Sequence, residues 1–216
     1  GAALSIPSGI STERAVLAPQ METALNATWD AAVCVGDRIA VVGAGVIGCL
    51  VAYLCSRLPG TDVTLIDINE ERRDVALALG LSFATPSGEL PSGCDLVFHA
   101  SGQPSGLDLS FSLSGFEASV IELSWYGTTA VSAGLGGAFH SQRLTLRSSQ
   151  VGSVAPGRRS RWSSQRRLAL ALDLVADKRL DVLVQSETPF EALPAALPSI
   201  LGRSGPLCHL VRYPRS

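Results

Sequence analysis

Apolar and polar residues alternate along the chain in blocks that predict strands and helices in turn. The pattern predicts the strands of a parallel sheet at 37–43, 63–67, 94–100, 118–123 and 144–149, and the apolar runs at 37–43 and 94–100 indicate buried strands. Helical spacing predicts helices at 46–57 and 72–79, ended by Pro59-Gly60 and by Gly80, with Asn69 as an N-cap. This alternation is typical of a doubly wound parallel sheet, so we predict an α/β fold.

The pattern changes after residue 150. Residues 152–164 are rich in Gly, Pro, Ser and Arg and predict a loop. Beyond it we predict a helix at 165–176, a short strand at 180–184, a helix at 190–201 and a final strand at 207–213. We therefore expect a hinge segment at 1–10, a main domain at 11–150 and a C-terminal α+β segment at 151–216.

A glycine pattern lies where the first predicted strand meets the first predicted helix. Gly43, Gly45 and Gly48 have the spacing G-x-G-x-x-G, and Val46 and Ile47 open the helix. In a Rossmann-type unit the first glycine permits a tight turn, and the second lets the backbone approach a pyrophosphate at the positive helix end. The third lets the helix pack closely on the strand. We predict that this turn binds a dinucleotide.

An acidic residue, Asp67, ends the second predicted strand. A carboxylate there accepts hydrogen bonds from the ribose hydroxyls and repels a 2′-phosphate, which favours NAD over NADP. Arg72 and Arg73 follow closely and would partly offset this preference. Two alternatives stay open: a structural glycine turn that binds no dinucleotide, and a methyltransferase-type sheet, which the full glycine spacing disfavours.

Composition narrows the classes of function. The chain has 216 residues, 46% of them hydrophobic, which is enough for a substantial core. A net charge of -2 gives no general attraction to nucleic acid or membranes, and no apolar run is long enough to span a bilayer. We expect neither partner. The five cysteines form no C-x-x-C pair, which disfavours a disulfide framework or a four-cysteine zinc site and favours a cytoplasmic location.

Other side chains allow a structural and a functional interpretation. His99 lies in a predicted buried strand, where a hydrogen-bonded core histidine is favoured over a cofactor contact. Trp125-Tyr126-Gly127 follows a strand end and would either line a nicotinamide pocket or pack in the core or an interface. The one basic cluster favours a solvated loop or subunit contact over a phosphate or nucleic-acid site; it comprises Arg158, Arg159, Arg161, Arg166 and Arg167, with Trp162 among them.

Over nearly its whole length the chain resembles the zinc-type medium-chain alcohol and polyol dehydrogenases. The segments that carry the resemblance are 15–27, 36–48, 67–69, 100–102, 122–124, 148–150 and 189–196. The resemblance implies that Ile68 and Arg72 lie at the adenosine ribose. It implies further cofactor contacts from Ala100, Ser101 and Gly102 under the cofactor and from Glu122, Ser124, Ser148 and Gln150 near the nicotinamide.

The resemblance implies NAD-dependent oxidation of an alcohol or polyol by hydride transfer, in a homodimer or homotetramer. It assigns no catalytic residue, because we expect the family's N-terminal catalytic domain to be absent from this chain. The family's later zinc ligand falls near Ala18 or Pro19, neither of which binds zinc, and an Arg that often meets the pyrophosphate is replaced near Cys208. We predict no metal site within the chain, so zinc would need residues outside it. The alternative function is a non-catalytic NAD(H)-binding module or sensor.

Overall fold

A computed structural model describes residues 3–202 and 205–214 of the chain. Its centre is a six-stranded parallel sheet in the order β3-β2-β1-β4-β5-β6. The strands are β1 (Arg38–Val42), β2 (Asp62–Ile66), β3 (Ser82–Ala84), β4 (Cys94–His99), β5 (Ser114–Glu122) and β6 (Thr145–Ser148). The order reverses between β1 and β4, which is the switch point of a doubly wound sheet. The predicted α/β class is therefore confirmed.

Helices cover both faces of this sheet. The α-helices of the described residues are α1 (Thr12–Ala15), α2 (Ala18–Ala31), α3 (Val46–Cys55), α4 (Arg72–Ala78), α5 (Pro104–Leu113), α6 (Ala138–Ser141), α7 (Ser164–Leu174) and α8 (Leu193–Ile200). Along β1, Ile39 and Val41 pack in a core with α2, α3 and α7, whereas Ala40 and Val42 pack in a second core with α5. Successive side chains of a strand point to opposite faces, so a strand covered on both faces is apolar throughout.

The start of α4 differs by a few residues from the prediction. The helix begins at Arg72, and Glu71 rather than Asn69 is its N-cap. The Asn69 side chain still accepts a hydrogen bond from the Glu71 backbone N–H, at 3.0 Å, and so shapes the turn ahead of the helix. The predicted end is correct, because Gly80 follows the helix with a positive φ of 76°.

The strand predicted at 180–184 is wrong. Lys178–Leu183 forms a 3-10 helix, and strand β7 (Val184–Pro189) begins after it. Asp177 explains the difference, because its side chain accepts a hydrogen bond from the Arg179 backbone N–H at 2.9 Å and caps a helical turn. The final strand β8 (Cys208–Arg212) pairs with β7 in parallel, as a separate two-stranded sheet.

The segment after residue 150 packs against the main sheet. Ala171, Leu180 and Leu183 are buried in the same core as Met21 and Leu50. The boundary expected at residue 150 stays a prediction, and the two sides of it share one core. None of the helices in the described ranges is both long and apolar enough to cross a membrane.

Candidate functional site

The glycine turn between β1 and α3 is fixed by steric contacts. Gly43 has a φ of 108°, and a Cβ there would lie 2.6 Å from the Ser101 backbone nitrogen. A Cβ on Gly48 would lie 1.8 Å from the Gly43 carbonyl oxygen. Both distances are far below van der Waals contact, so the turn and the close approach of helix to strand need glycine at these two positions.

The second glycine of the motif has a different role. Gly45 is the N-cap of α3, has an ordinary φ of -71°, and would carry a Cβ that meets no atom within 4 Å. The first backbone N–H groups of α3, including those of Val46 and Ile47, have no partner within the helix. Together with the helix dipole they attract an anion, so this turn fits the pyrophosphate of a dinucleotide.

Asp67 lies beside this turn, directly after β2. One carboxylate oxygen, Oδ2, accepts a hydrogen bond from the Ala44 backbone N–H at 2.6 Å, and Oδ1 accepts one from the Asn69 N–H at 2.8 Å. Each oxygen of a carboxylate accepts more than one hydrogen bond. The partly exposed carboxylate can therefore hold the turn and still accept from ribose hydroxyls.

The residues near Asp67 differ in how exposed they are and in how many contacts their side chains make within the protein. Ile68 is 86% exposed, so it offers an apolar surface next to the carboxylate. Arg73 pairs with Glu70 and lies over the Phe83 ring, 4.9 Å from its centroid. Arg72 is partly exposed and makes no side-chain hydrogen bond within the described residues, so it is the better placed of the two arginines to meet a ligand.

Three residues directly after β4 lie against the glycine turn, and we call them the floor of the turn: Ala100, Ser101 and Gly102. The Ala100 backbone N–H donates to the Val42 carbonyl at 2.8 Å, which joins this segment to the end of β1. Gly102 has a positive φ of 66°, and its N–H donates to the Ser124 hydroxyl at 2.9 Å. Ser101 contacts the glycine turn through its backbone and His99 through its hydroxyl. The structure thus brings Ala100, Gly102 and Ser124 together at one sheet edge.

A buried polar cluster lies below this floor. His99 is fully buried, and its Nδ1 lies 2.8 Å from Glu122 Oε2, while its Nε2 lies 2.7 Å from the Ser101 hydroxyl. An ionised carboxylate only accepts, so Nδ1–H donates to Glu122, while Nε2 and the Ser101 hydroxyl share a second hydrogen bond. The interpretation of His99 as a hydrogen-bonded core histidine fits this geometry. Glu122, which the resemblance places near the nicotinamide, turns its carboxylate inward to His99.

The pKa values in this cluster follow from its contacts. Burial by itself would raise the pKa of Glu122, but hydrogen bonds from His99 and from the Ser124 N–H outweigh it, and the pKa is lowered. Burial and the nearby Glu122 carboxylate raise the pKa of Tyr126 to about 12. At neutral pH Glu122 is therefore ionised and Tyr126 is protonated, so the tyrosine hydroxyl can donate to the carboxylate oxygen 3.3 Å away.

Ser148 and Gln150 lie further along the same sheet edge. Ser148 ends β6 and is in register with Glu122 of β5. The Gln150 side-chain oxygen accepts from the Gly152 N–H at 2.6 Å. Trp125 is 91% exposed, which excludes core packing within the described residues and leaves a pocket wall or an interface. Most of the other predicted site residues lie at the ends of β1, β2, β4 and β5 or in the turns that follow them. Val46, Ile47 and Gly48 lie on α3, and Arg72 begins α4.

Sequence analysis missed a buried arginine that organises the segment after β6. Arg167, predicted in a solvated basic cluster, has a side chain only 2% exposed that pairs with Glu22 at 2.9 Å. Its guanidinium also donates to the Asn26 side chain and to the carbonyls of Val151 and Ser153. No local signal identifies it, because Glu22 and Asn26 lie more than 140 residues away in the chain.

In the described ranges, no group of three or more His, Cys, Asp or Glu side chains is arranged to hold a metal ion. The five cysteines are free thiols. Burial raises the pKa of Cys49 and of Cys55 to about 12, so these two thiols are protonated and unreactive at neutral pH.

The chain is similar to known proteins over part of their length. No protein-family model matches the chain. The D-xylulose reductase of Saccharomyces cerevisiae is 32% identical over 136 residues, which are 61% of this chain and 38% of the reductase. The chain thus spans well under half the length of this relative.

Solved structures share the fold at lower identity. L-idonate 5-dehydrogenase from Escherichia coli superposes with a TM-score of 0.80 at 18% identity, over 97% of this chain and 60% of that one. A short chain alcohol dehydrogenase from Escherichia coli, solved in complex with NADH, gives a TM-score of 0.77 at 19% identity, over 95% and 60%. These matches confirm the predicted fold class and cover only part of each enzyme.

Proposed function

Since this chain is related to the zinc-type medium-chain alcohol and polyol dehydrogenases, we propose that it binds NAD(H) and serves the oxidation of an alcohol or polyol by hydride transfer. The observation that carries the proposal is the glycine turn at Gly43–Gly48 with the Asp67 carboxylate bonded to its Ala44 N–H. A purely structural turn would not need an open helix N-terminus beside an acid that can accept from ribose hydroxyls. The alternative of a non-catalytic module is less favoured, because the relatives named above are enzymes.

Each residue of the site has a proposed role. The N–H groups at Gly45, Val46 and Ile47 bind the pyrophosphate, and Asp67 binds the adenosine ribose. Ile68 packs on the adenine, and Arg72 lies at the edge of the ribose. The floor at Ala100, Ser101 and Gly102, with Ser124, Ser148 and Gln150, positions the nicotinamide half, and Glu122 acts through His99 and Ser124 to hold that floor. Bound NAD would accept a hydride at its nicotinamide ring.

The described residues do not fit a zinc site. Ala18 and Pro19 stand where the resemblance places a zinc ligand, and neither has a donor atom in its side chain. Glu22, one turn further along α2, is engaged by Arg167. We therefore derive no catalytic step through a metal from this chain. The substrate would be a small alcohol or polyol, and the groups that polarise its hydroxyl are not assigned.

We propose a cytoplasmic protein that forms a homodimer or homotetramer. Free thiols fit a reducing compartment. The edge strand β6 is exposed along its whole length from Thr145 to Ser148. An exposed edge presents unpaired backbone N–H and C=O groups, which the same edge of a second copy can satisfy.

Calorimetric titration of the chain with NADH and with NADPH tests the cofactor site. We expect NADH to bind more tightly, because Asp67 repels a 2′-phosphate. Gly45→Val places a branched side chain where the pyrophosphate would approach and should weaken NADH binding at least about tenfold. The matched control is Gly136→Val, since a Cβ on Gly136 also meets nothing within 4 Å and its φ is not left-handed.

Both variants must stay folded for their NADH affinities to test the glycine turn. Far-ultraviolet circular dichroism should show that both variants keep the fold of the parent chain. If the folded parent binds neither nucleotide, or if Gly45→Val binds NADH as tightly as Gly136→Val does, the glycine turn is only structural.

A further inference from the structure

A second site of interest is a cavity of about 620 Å³ between the end of α2, the end of β6 and the segment that follows β6. We call it the basic cavity. Its lining residues are Trp29, Asp30, Ala32, Arg147, Ser148, Gln150, Ser153, Val154, Ala155, Pro156, Gly157 and Arg159. Its volume lies within the roughly 300–1,000 Å³ of small-molecule pockets.

The stretch of chain around this cavity is rich in positive charge. Residues 123–172 contain seven arginines and no Asp or Glu. Only two of these arginines form ion pairs in the described part of the chain, Arg143 with Glu117 and Arg167 with Glu22. The other five are Arg147, Arg158, Arg159, Arg161 and Arg166. An excess of guanidinium groups at a cavity attracts a negatively charged ligand.

The charge at the cavity wall can be counted from its side chains. Arg147 and Arg159 line the cavity, and the Arg158 guanidinium lies 5.6 Å from the ring centroid of Trp29, another lining residue. The opposing group is the buried Asp30, whose Oδ2 accepts from the Asn26 side chain at 3.0 Å and from the Ser149 hydroxyl at 2.7 Å. Two guanidinium groups thus line the cavity against one carboxylate, and the third, that of Arg158, lies beside it, so positive charge is in excess.

The cavity wall is held in place by buried contacts. The Arg147 Nη1 donates to the Asp30 carbonyl oxygen at 2.8 Å, which fixes the direction of the side chain. Arg167 binds the carbonyls of Val151 and Ser153 from below, and the Ala155 N–H donates to the Asn26 side chain at 3.1 Å. A wall that is already ordered loses less conformational entropy when a ligand binds.

We propose that the basic cavity binds a small molecule that carries a phosphate group. A phosphate ester bears about -1.5 to -2 charges at neutral pH, which suits a cavity with an excess of guanidinium groups. A carboxylate carries a single charge and is attracted less strongly. Arginine forms paired, planar hydrogen bonds with phosphate oxygens, and the half-buried Trp29 ring offers an apolar face to the organic part. The site shares Ser148 and Gln150 with the proposed nicotinamide end but does not depend on the glycine turn.

Titration with sorbitol 6-phosphate, with sorbitol as the uncharged control, tests this proposal at about 0.15 M salt. We expect the phosphate ester to bind and sorbitol not to bind. Arg159→Gln should weaken the binding of the ester by about tenfold or more, because it removes a charge-assisted contact. The matched control is Arg161→Gln, an exposed arginine of the same loop that does not line the cavity, for which we expect less than about a twofold effect.

Three results would overturn the proposal. The first is no binding of the ester, and the second is an equal loss in Arg159→Gln and Arg161→Gln. Equal loss together with tighter binding of a short DNA duplex would indicate a nucleic-acid surface instead. The third is an equal loss of affinity for NADH and for the ester in Arg159→Gln, which would assign the phosphate contact to the cofactor. NADH is titrated separately into Arg159→Gln, where unchanged affinity is expected, so the two proposed sites can fail independently.

Discussion

At the scale of single residues, the Asp67 carboxylate serves both the glycine turn and the proposed ribose site. It holds the glycine turn through the Ala44 N–H and keeps oxygen lone pairs for a ribose. A hydrogen bond to a charged group contributes about 1.5–3 kcal/mol. An asparagine at position 67 keeps the shape of the side chain and one acceptor oxygen but removes the charge, so it separates the two contributions.

We predict that Asp67→Asn narrows the preference for NADH over NADPH by about tenfold or more. The amide oxygen can still accept from the Ala44 N–H, at the cost of the bond from the Asn69 N–H, whereas the repulsion of a 2′-phosphate is lost. Dissociation constants for both nucleotides measure the effect. Asp62→Asn is the control, because Asp62 is exposed at the start of the same strand. An unchanged ratio in Asp67→Asn would exclude Asp67 as the ribose ligand.

Proposed site residues lie near one another where their partners are close in the chain or are set by the parallel sheet. Gly43, Gly48 and Asp67 follow from motif spacing. The inward turn of Glu122 did not follow, because it depends on the contact with His99 across two strands. The burial of Arg167 could not be predicted for the same reason, since its partners Glu22 and Asn26 are distant in sequence.

At the scale of elements, α7 is fastened to α2 by a buried arginine. Arg167 is bonded to Glu22 and Asn26 on α2 and to two carbonyls of the segment after β6. Losing one member of such a set leaves buried polar groups without partners. The orientation of two helices and one loop thus depends on a single side chain.

We predict that Arg167→Met lowers the free energy of unfolding by about 3–5 kcal/mol, because Glu22 keeps its charge without a partner. Urea denaturation measures the change. The neighbouring Arg166 is exposed and lies over the Trp162 ring, 3.9 Å from its centroid. Arg166→Met should therefore cost about 1 kcal/mol or less. Similar losses in both variants would show that α7 is not held by the buried contact.

Most strands of the main sheet were predicted from the hydrophobic pattern, and a few elements were missed. The strands β1, β2, β4 and β6 match their predicted positions to within a residue or two. Sequence analysis missed β3, which has three residues, and α5, whose Pro-Ser-Gly start is typical of a loop. The 3-10 helix at Lys178–Leu183 carries the apolar residues Leu180, Val182 and Leu183, which resemble a short buried strand. The cap at Asp177 makes this segment helical.

At the scale of the whole molecule, two carboxylates link stability to pH. A side-chain hydrogen bond from Arg179 is the main cause that lowers the pKa of Asp177, and the Tyr53 hydroxyl adds to it. The pKa of Glu122 is also lowered. A pKa that is lower in the folded state contributes stability above the unfolded value, near 4 for both residue types, and loses it as the pH falls through the folded value.

We predict that the free energy of unfolding falls steadily when the pH is lowered from about 5 to 3, and that Asp177→Asn and Glu122→Gln each make this fall shallower. Urea titrations at several pH values test this. Glu89→Gln is the control, because Glu89 is exposed and forms no hydrogen bond with the described residues. The same slope in all three variants would contradict the link to these two groups.

The strand order has a consequence for the protein during its synthesis. β1, β2 and β3 are consecutive in the chain and adjacent in the sheet, and so are β4, β5 and β6. Only the pairing of β1 with β4 joins the halves, with Ile39 opposite Leu96. On a ribosome that has made only the first three strands, the apolar strand β1 has one unpaired edge, because its partner β4 has not yet been made. The nascent chain is most prone to aggregate in the interval before Cys94–His99 emerges.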